Sequence, residues 1–293
     1  MTTKYDIVLL GHYTKDTIIS AAGKRVVDGG AFNYGANAAA RMGLKTAAVT
    51  RLAEEDSGFL DGLRDLGVDV YATYTPSSTC LTLEYPSADP DDRVLYVSST
   101  AGPFTLGEVE GLSAEVMLIG ASIRGEVPKE VIAAAKSRVK LLALDVQGFI
   151  RVEDGGRLVY APWPEQGEIL SMVDVLKTDA VEAEFITGEK DMFRAAKILA
   201  GFGPREVVLT HRSGIVLYTD GTYLEAQFKP SKLIGRSGRG DTCIASYVSK
   251  RLSASPGEAL VWSAALTSLK LEAEGPFKRP IEEVEELIRR EYS

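Results

Sequence analysis

The feature that most constrains this chain is an alternation of short apolar runs with helical segments that end at glycine. Residues 6–11 (DIVLLG) form an apolar run, and residues 31–43 (AFNYGANAAARMG) are small, rich in alanine and helical in spacing. The runs TAAVTRL, VMLIG, KLLALDV, VDVLKTD and EVVLTH follow, with helical segments between most of them. Strands that are apolar throughout are buried on both faces, and helical crossovers join parallel neighbours. The alternation therefore predicts a parallel sheet with helices on both faces.

Two regions depart from this alternation. Residues within about 12–30 and 70–100 are polar and β-branched and lack a long helix, so they predict strands of a small sheet beside the main one. Residues 215–228 predict a hairpin around Asp220-Gly221. Further helices are predicted over residues 57–67, 241–252, 256–273 and 281–290. The favoured architecture is α/β, a doubly wound and mainly parallel sheet with a small β-sheet lid, in a single domain over residues 1–293.

The composition excludes several classes of partner and site. Lys and Arg total 33 against 41 Asp and Glu, and the net charge of −8 disfavours general binding to nucleic acids or anionic membranes. Two cysteines and two histidines are too few for a disulfide framework or a zinc cluster. No apolar run approaches the roughly 20 residues of a membrane span, and the N-terminus lacks a secretory signal pattern. We therefore expect a cytoplasmic protein whose partners are small molecules.

Residues 235–242 (GRSGRGDT) are the most informative segment for chemistry. Glycines alternate with other residues immediately before a helix, so backbone N–H groups can converge where the helix N-terminus adds partial positive charge. Such a turn can stabilise charge on a transferring phosphoryl group, and Asp241 in the first helical turn can take a proton from an attacking hydroxyl. The alternative is an N-cap aspartate behind an ordinary glycine loop, and the local pattern leaves both open.

The chain resembles the ribokinase-like, or PfkB-type, carbohydrate kinase family over about residues 6–290. The family signature D-T-x-G-A-G-D is matched in residues 235–241 at its last two glycines and its final aspartate, and it departs at Gly235 and Arg239. The segment from Gly29-Gly30 to the helix ending in ARMG is similar to the family's GG…N…A-R-L-G pattern. Together with GHYTKD and DVQGFIR, the variant signature looks most like the myo-inositol kinase subgroup.

The resemblance implies a catalytic centre and an acceptor site. Asp241 would be the catalytic base, with Gly238, Arg239 and Gly240 forming the anion hole. The substrate-binding residues implied are Asp16, Gly29, Gly30, Asn33, Asp145, Gln147 and Arg151. Without the resemblance, Asp16 would be a solvated loop aspartate and Arg151 a surface arginine. Asn33 lies one position before the family's asparagine, which aligns with Tyr34.

The resemblance also implies a nucleotide and metal site. Glu182 would hold Mg²⁺ through water, in a segment similar to the family's N-x-x-E motif, and the alternative is an exposed helix glutamate. Gly235 lacks the carboxylate near which some relatives bind a monovalent cation, so we expect no such dependence. Three small residues on one helix face, Ala264, Ala265 and Ser268, would floor an adenine pocket, although such residues more often serve helix packing. The nucleotide-binding residues implied are Lys177, Asp179, Thr210, Arg212, Gly214, Gly238, Gly240, Ala265 and Ser268.

The function implied by the resemblance is transfer of the γ-phosphoryl group of ATP, with Mg²⁺, to a hydroxyl of a cyclic polyol or sugar. Myo-inositol is the acceptor we expect. A ribose or nucleoside kinase of the same family is one alternative. A non-catalytic sugar or nucleotide sensor on the same fold is an alternative of another class, and the intact Asp241 argues against it. A homodimer through an exposed lid strand is a further expectation.

Overall fold

Two β-sheets organise the protein, one of nine strands and one of six. The computed structural model describes residues 3–21, 23–87 and 93–292. Residues 88–92, inside the predicted lid range 70–100, therefore lie outside the described residues. In chain order the strands are β1 Thr3–Leu10, β2 Thr14–Ser20, β3 Gly23–Gly29, β4 Thr46–Ala53, β5 Asp69–Thr75, β6 Thr79–Glu84, β7 Val94–Ser99, β8 Leu112–Ile119, β9 Val139–Asp145, β10 Arg151–Asp154, β11 Arg157–Tyr160, β12 Val175–Asp179, β13 Glu206–Thr210, β14 Gly214–Thr219 and β15 Thr222–Gln227.

The larger sheet has the strand order β15–β14–β13–β12–β9–β8–β1–β4–β5. Neighbours from β13 to β5 pair in parallel, whereas β14 pairs antiparallel with both β13 and β15. The chain runs outwards from β1 through β4 to β5 and later continues from β8 on the other side of β1. The strand order thus reverses beside β1, and ligands of such sheets bind there, beyond the carboxyl ends of the strands.

Helices connect the strands of the larger sheet. In chain order they are α1 Ala31–Arg41, α2 Asp61–Arg64, α3 Lys129–Lys136, α4 Gln147–Ile150, α5 Gln166–Leu170, α6 Ala180–Thr187, α7 Met192–Ala200, α8 Arg239–Arg251, α9 Pro256–Leu271 and α10 Ile281–Glu291. The helix predicted over residues 57–67 is only partly α-helical, because residues 54–60 form a 3-10 helix and α2 is one turn long. Gly58 and Gly62 weaken an α-helix there through their backbone entropy.

The larger sheet is buried on both faces because the side chains of its strands alternate between two cores. In β1, Val8 and Leu10 belong to the core on one face, which also contains residues of α3 and α7. Ile7 and Leu9 belong to the core on the other face, which contains residues of α1 and α8. This arrangement confirms the predicted class, a doubly wound and mainly parallel α/β sheet.

The smaller sheet, with the order β10–β11–β7–β6–β2–β3, is the lid. Four of its strands come from the two predicted ranges, but β10 and β11 form a hairpin that the sequence analysis did not include. These two strands have four residues each and turn at Gly155-Gly156, where φ is 57° and 85°. Conversely, β5 lies in the predicted lid range but pairs in parallel with β4 at the edge of the larger sheet. The range 70–100 therefore supplies strands to both sheets.

The predicted hairpin of residues 215–228 is confirmed as β14 and β15. Its turn residues Asp220 and Gly221 have φ of 49° and 77°, the conformation that matches a two-residue turn to the twist of its strands. In the described part of the chain, no helix is both long and apolar enough to cross a membrane.

Candidate active site

A cavity of about 600 Å³ opens at the carboxyl edge of the larger sheet. Residues of lid strands β7 and β11, the ends of β12 and β13, and the turn of residues 236–241 border it. The predicted site residues that line it are Gln147, Arg151, Lys177, Asp179, Thr210, Gly238, Arg239, Gly240 and Asp241. Asp145 borders a second, much smaller cavity, which Asp241 also lines. Residues far apart in the sequence thus meet where the strand order favours a ligand.

Residues 235–241 form a tight turn that leads into α8. Gly238 is the N-cap residue with φ of 72°, and a Cβ atom there would lie 2.2 Å from the ring of Tyr34. A Cβ atom at Gly240 would lie 2.9 Å from Nζ of Lys177. The first position therefore requires glycine for its backbone conformation and both require it for close packing. The first N–H groups of α8, which have no partner within the helix, lie beside the cavity.

Asp241 is the third residue of α8 and does not cap the helix, because Gly238 is the N-cap residue and the N-terminus has no side-chain cap. Burial raises the pKa of Asp241 to about 6, and the nearby charge of Asp145 acts in the same direction. The charges of Lys177 and Lys270 oppose this rise. A carboxylate with such a pKa is ionised at neutral pH and more basic than an ordinary aspartate, which suits proton abstraction.

A buried cluster of charges lies behind the turn. Nζ of Lys177 is 2.9 Å from Oδ2 of Asp145 and 3.8 Å from Oε2 of Glu182. The three side chains are at most 5% exposed. Burial by itself would lower the pKa of Lys177, but attraction to the two carboxylates outweighs it and raises the pKa. Lys177 therefore keeps its positive charge at the wall of the cavity.

Glu182 is buried rather than an exposed helix glutamate. It forms a capping box with Asp179, in which Oδ1 of Asp179 accepts from the Glu182 N–H at 2.8 Å and Oε2 of Glu182 accepts from the Asp179 N–H at 2.9 Å. Among the described residues, Oε1 of Glu182 is buried without a hydrogen-bond partner. Burial raises the pKa of Glu182 despite the attraction of Lys177.

The unused oxygen of Glu182 fits a carboxylate that holds Mg²⁺ through water. Mg²⁺ is commonly bound by one or two carboxylates together with waters and phosphate oxygens. Over residues 3–21, 23–87 and 93–292, no group of three or more His, Cys, Asp and Glu side chains is arranged to hold a metal ion. The metal role of Glu182 stays a prediction.

Asp16 lies on β2 and faces the glycine pair of the neighbouring strand. A Cβ atom at Gly29 would lie 2.8 Å from Oδ2 of Asp16, so this glycine makes room for the carboxylate. Gly30 has φ of 102°, and a Cβ atom there would lie 2.3 Å from the carbonyl oxygen of His12. In the part of the chain that the structure describes, Oδ1 of Asp16 is buried and has no hydrogen-bond partner. Asp16 is therefore not a solvated loop residue, and it offers an acceptor to a ligand hydroxyl.

The remaining predicted acceptor-site residues differ in which of their polar atoms are already paired within the chain. Oδ1 of Asn33 accepts from Nδ2 of Asn37 at 3.0 Å, within α1. Oδ1 of Asp145 accepts from the Gln147 N–H at 3.1 Å, and its Oδ2 faces Lys177. Arg151 is 6% exposed rather than a surface residue, and its charge lowers the pKa of both Asp16 and Asp241. Arg151 therefore lies close to both carboxylates.

The predicted nucleotide residues do not all reach the cavity. Arg212 is exposed, and Gly214 begins β14, where a Cβ atom would lie 2.5 Å from the carbonyl oxygen of Ala226. Strand pairing therefore accounts for this glycine. Ala265 and Ser268 are fully buried in α9, and neither lines the cavity. Their part in an adenine pocket stays a prediction.

Several residues of the site were missed by the sequence analysis. Arg157 and Arg236 line the cavity, and Tyr34 packs against Gly238. Nζ of Lys270 donates to the carbonyl oxygens of Gly235 and Ser237. A lone lysine in the apolar second half of α9 was a sequence signal for this contact. Arg157 lies in the unpredicted hairpin, and nothing in the sequence marks it.

A model of the "pfkB family carbohydrate kinase" matches residues 10–278. The chain therefore belongs to the pfkB family of carbohydrate kinases, and the resemblance stated above is confirmed. It is a sugar or polyol kinase, an enzyme that transfers a phosphoryl group to a hydroxyl group.

Relatives of known name differ in acceptor and donor. The cytidine kinase of Thermococcus kodakarensis is 29% identical over 259 residues, 83% of this chain and 87% of that protein. A pyrophosphate-dependent kinase of the ribokinase family, solved with a pyrophosphate analogue and myo-inositol, is 32% identical, with a TM-score of 0.88 over 96% of this chain and 99% of that one. Arabidopsis thaliana ribokinase with ribose and ATP is 20% identical, with a TM-score of 0.78 over 98% of this chain and 99% of that one. The last match shows the fold alone.

Proposed function

We propose that this chain phosphorylates a hydroxyl of a cyclic polyol, with myo-inositol as the preferred acceptor. The observation that carries the proposal is the buried oxygen Oδ1 of Asp16, which has no hydrogen-bond partner among the described residues and can accept from a ligand hydroxyl. Burial is the main cause that raises the pKa of Asp16 to about 6, and the charge of Asp241 acts in the same direction. A hydroxyl bound to the unpaired oxygen of Asp16 would hold a polyol ring beside the base Asp241. The relative that binds myo-inositol supports the same acceptor.

A ring that bears only hydroxyl groups needs convergent polar side chains. Asp16 supplies a buried acceptor, and Gln147 and Arg151 line the cavity with donors. A site built to pair buried hydroxyls rejects analogues that lack them, because its own polar groups are then left unsatisfied. This argument favours a polyhydroxylated ring over a deoxy sugar.

For the donor we propose inorganic diphosphate, with ATP as the second candidate. Among the described residues, six basic side chains line the cavity against two carboxylates, which suits a small and highly charged donor: Arg93, Arg151, Arg157, Lys177, Arg236 and Arg239 against Asp179 and Asp241. The pyrophosphate-dependent relative supports this choice.

The predicted floor of an adenine pocket is covered by the chain itself. Oγ of Ser268 accepts from the Lys229 N–H at 2.8 Å and lies 3.4 Å from the hydroxyl of Tyr292. Ala265 packs in the apolar cluster between α9 and α10. A donor without a base needs no pocket at this place, whereas ATP would have to place its adenine elsewhere or displace these contacts.

The proposed reaction uses the turn and its aspartate directly. The acceptor oxygen forms a bond to the terminal phosphorus of the donor, and the hydroxyl proton goes to Asp241. The bond from that phosphorus to the bridging oxygen breaks, so phosphate leaves from diphosphate, or ADP from ATP. The N–H groups at the start of α8 stabilise the charge on the transferring group. Mg²⁺, when bound near Glu182, neutralises charge on the donor phosphates.

We further propose that the chain works as one kinase domain. The lid contributes Leu95 and Leu158 to the cavity, opposite the turn of residues 236–241. Closure of the lid over the acceptor would exclude water, which otherwise competes as the attacking nucleophile.

The test is a matrix of donors and acceptors with the purified protein. Diphosphate and ATP are each combined with myo-inositol, ribose, fructose, 2-keto-3-deoxygluconate, adenosine and cytidine, and kcat/KM is measured for each pair. We expect the highest value for myo-inositol with diphosphate. A higher value for any other acceptor would contradict the inositol proposal, and a higher value with ATP would contradict the donor proposal.

A nucleoside acceptor is the alternative that a specific observation favours. The cytidine kinase relative and the aromatic rings of Tyr85 and Tyr160 at the cavity both suit a base. The cytidine arm of the matrix decides between the two. A mock preparation from cells that lack the protein, purified in the same way, serves as a control, because any turnover in it comes from a contaminating kinase.

A further inference from the structure

A buried lysine lies against the turn of residues 235–241 on the side away from the cavity. Lys270 belongs to the last turn of α9 and is 2% exposed, and it does not line the cavity. Its Nζ is 2.9 Å from the carbonyl oxygen of Gly235 and also donates to the carbonyl oxygen of Ser237. The ammonium lies 5.5 Å from the ring centre of Tyr34, which packs against Gly238. One cation therefore contacts the turn at two alternate peptide groups.

The two contacts determine the direction of the neighbouring N–H groups. In a trans peptide the C=O of one residue and the N–H of the next point in opposite directions. The carbonyls of Gly235 and Ser237 point at Lys270, so the N–H groups of Arg236 and Gly238 point away from it. Both of these residues line the cavity.

The end of α9 holds the start of the same turn through its backbone. The N–H groups of Ile234 and Gly235 both donate to the carbonyl oxygen of Leu271, at 2.9 and 3.1 Å. A Cβ atom at Gly235 would lie 2.1 Å from the carbonyl oxygen of Ala273. No side chain therefore fits at Gly235 between the turn and the residues that follow α9.

The charged groups around Lys270 come from three parts of the chain. Glu274 follows α9, and Asp241 and Arg239 lie at the start of α8. The ring of Tyr34 on α1 covers the ammonium. Burial lowers the pKa of Lys270 to about 8, against the attraction of Glu274 and Asp241. Lys270 in turn lowers the pKa of Asp241.

We propose that the Lys270 ammonium is an internal cation that positions the anion hole, by holding two carbonyls of the turn so that its N–H groups face the donor phosphate. Lys270 is thus a positioning residue and touches neither substrate. This inference rests on the proposed phosphoryl transfer at the turn. Without the cation, the buried carbonyl of Gly235 and the partly buried carbonyl of Ser237 lose their partner, and the turn must rearrange to satisfy them.

The first experiment compares Lys270→Met with a matched control, Lys250→Met. Lys250 lies on α8 with its Nζ 4.2 Å from the ring centre of Trp262, so both lysines contact an aromatic ring and only Lys270 holds the turn. We expect Lys270→Met to lower kcat about a hundredfold, as small displacements of catalytic groups do, with a smaller change in KM for the acceptor. Lys250→Met should leave kcat within about twofold of the parent protein.

The pH profile of kcat separates positioning from a structural role. The parent protein should lose activity as pH rises through about 8, because the neutral amine loses its charge. In Lys270→Met this alkaline limb should disappear, and the acid limb should move to higher pH because a cation near Asp241 is lost. In Lys270→Arg the alkaline limb should move beyond the measured range, because the guanidinium stays protonated.

Two results would overturn the proposal. One is a Lys270→Met protein with kcat within about twofold of the parent. The other is a Lys270→Met protein with a lower melting temperature than the parent. Its kcat, corrected for the folded fraction, would then show acid and alkaline limbs at the same pH values as the parent.

A binding measurement separates this inference from the proposed function. Titration calorimetry with inorganic diphosphate, and with ATP as a second probe, should give a Kd about tenfold weaker for Lys270→Met and unchanged for Lys250→Met. If the parent protein catalysed phosphoryl transfer with none of the donor and acceptor pairs, the proposed function would be wrong. The Kd values of the parent and of Lys270→Met could still be compared. Equal Kd values for the parent and Lys270→Met would count against the positioning role.

Discussion

At the scale of single residues, Asp16 and Asp241 are both partly buried, each has a raised pKa, and they differ in their partners. Asp16 has one oxygen without a partner in the described chain, which a ligand hydroxyl can use. Asp241 lies at the N-terminus of α8, with positive charge from Lys177, Lys270 and Arg151 around it. These environments support our proposal that Asp16 binds the acceptor and Asp241 takes its proton.

Asp241→Asn keeps the shape of the side chain and removes the proton acceptor. We expect kcat to fall between about a hundredfold and ten-thousandfold, because the loss of a general base has that effect. KM for both substrates should change little. Steady-state turnover at saturating donor and acceptor gives the result, and near-parental turnover would remove Asp241 from the mechanism.

The raised pKa of Asp241 predicts an acid limb in the pH profile. The base works only when it is ionised, so kcat should fall below about pH 6, approaching tenfold for each pH unit, and should level off above it until the alkaline limb predicted for Lys270 near pH 8. An ordinary aspartate would place this limb near pH 4. The measurement is kcat between pH 4.5 and about 7.5 in a buffer series of constant ionic strength. A limb near pH 4 would contradict the role of burial.

Glu182→Gln tests the metal site. We expect the Mg²⁺ concentration for half-maximal activity to rise, because the amide is a weaker ligand than the carboxylate for a hard cation. Glu184→Gln is the matched control, since Glu184 lies on the same helix and is exposed. A Mg²⁺ titration of the three proteins decides, together with circular dichroism to show that each is folded. Identical titration curves for all three would exclude Glu182 from metal binding.

At the scale of elements, the turn before α8 depends on glycine for two separate reasons. Gly238 adopts a left-handed backbone conformation, and the Tyr34 ring occupies the place of its missing side chain. Gly240 approaches Lys177 closely. Because a helix N-terminus is an anion site only where its N–H groups are accessible, we propose that these glycines serve binding as well as packing.

Gly238→Ala should therefore destabilise the protein by at least about 2 kcal/mol, from backbone strain and overlap with a ring. Gly257→Ala is the matched control, since that residue lies in the first turn of α9 and the nearest heavy atom to its Cβ would be 3.6 Å away. Helical glycine to alanine changes stabilise by about 0.5–1 kcal/mol. Chemical denaturation of both variants gives the two free energies. Equal stability of Gly238→Ala and the parent would show that the turn relaxes freely.

Secondary-structure elements were predicted best where a hydrophobic pattern extends over many residues. They were predicted worst where contacts with residues distant in sequence decide the structure. The helices of α1, α9 and α10 lie within about two residues of their predicted ranges because their spacing and glycine or proline boundaries are local signals. By contrast, β5 was assigned to the wrong sheet. A short polar strand carries no local mark of which sheet it pairs with, because its partners are distant in sequence.

At the scale of the whole molecule, the lid brings an edge strand to the surface. β3 is at one end of the six-stranded sheet, and Val26 on it is 57% exposed. Exposed edges pair readily with other strands, so the predicted homodimer through the lid stays a reasonable expectation.

The dimer prediction is tested by sedimentation of the parent protein over a range of concentrations. We expect a concentration-dependent dimer, which Val26→Glu should weaken by placing a charge at an exposed apolar residue of the edge strand. Ile198→Glu is the control, because Ile198 is 43% exposed and lies on α7, which packs against β13 and β14 of the larger sheet. A parent protein that remains monomeric at every concentration would contradict the prediction.

The sequence by itself determined the class of fold and the position of the glycine turn for which we propose a catalytic role, because both are local. Apolar runs separated by helices indicate a parallel sheet, and glycines before an aspartate at the start of a helix indicate an anion site. Only the tertiary structure decided which groups surround that turn. It buried Glu182 and Arg151, covered Ser268 with Lys229 and Tyr292, and placed Lys270 behind Gly235. These contacts join residues far apart in the chain, and their energies depend on burial and charge proximity, which no single segment of sequence contains.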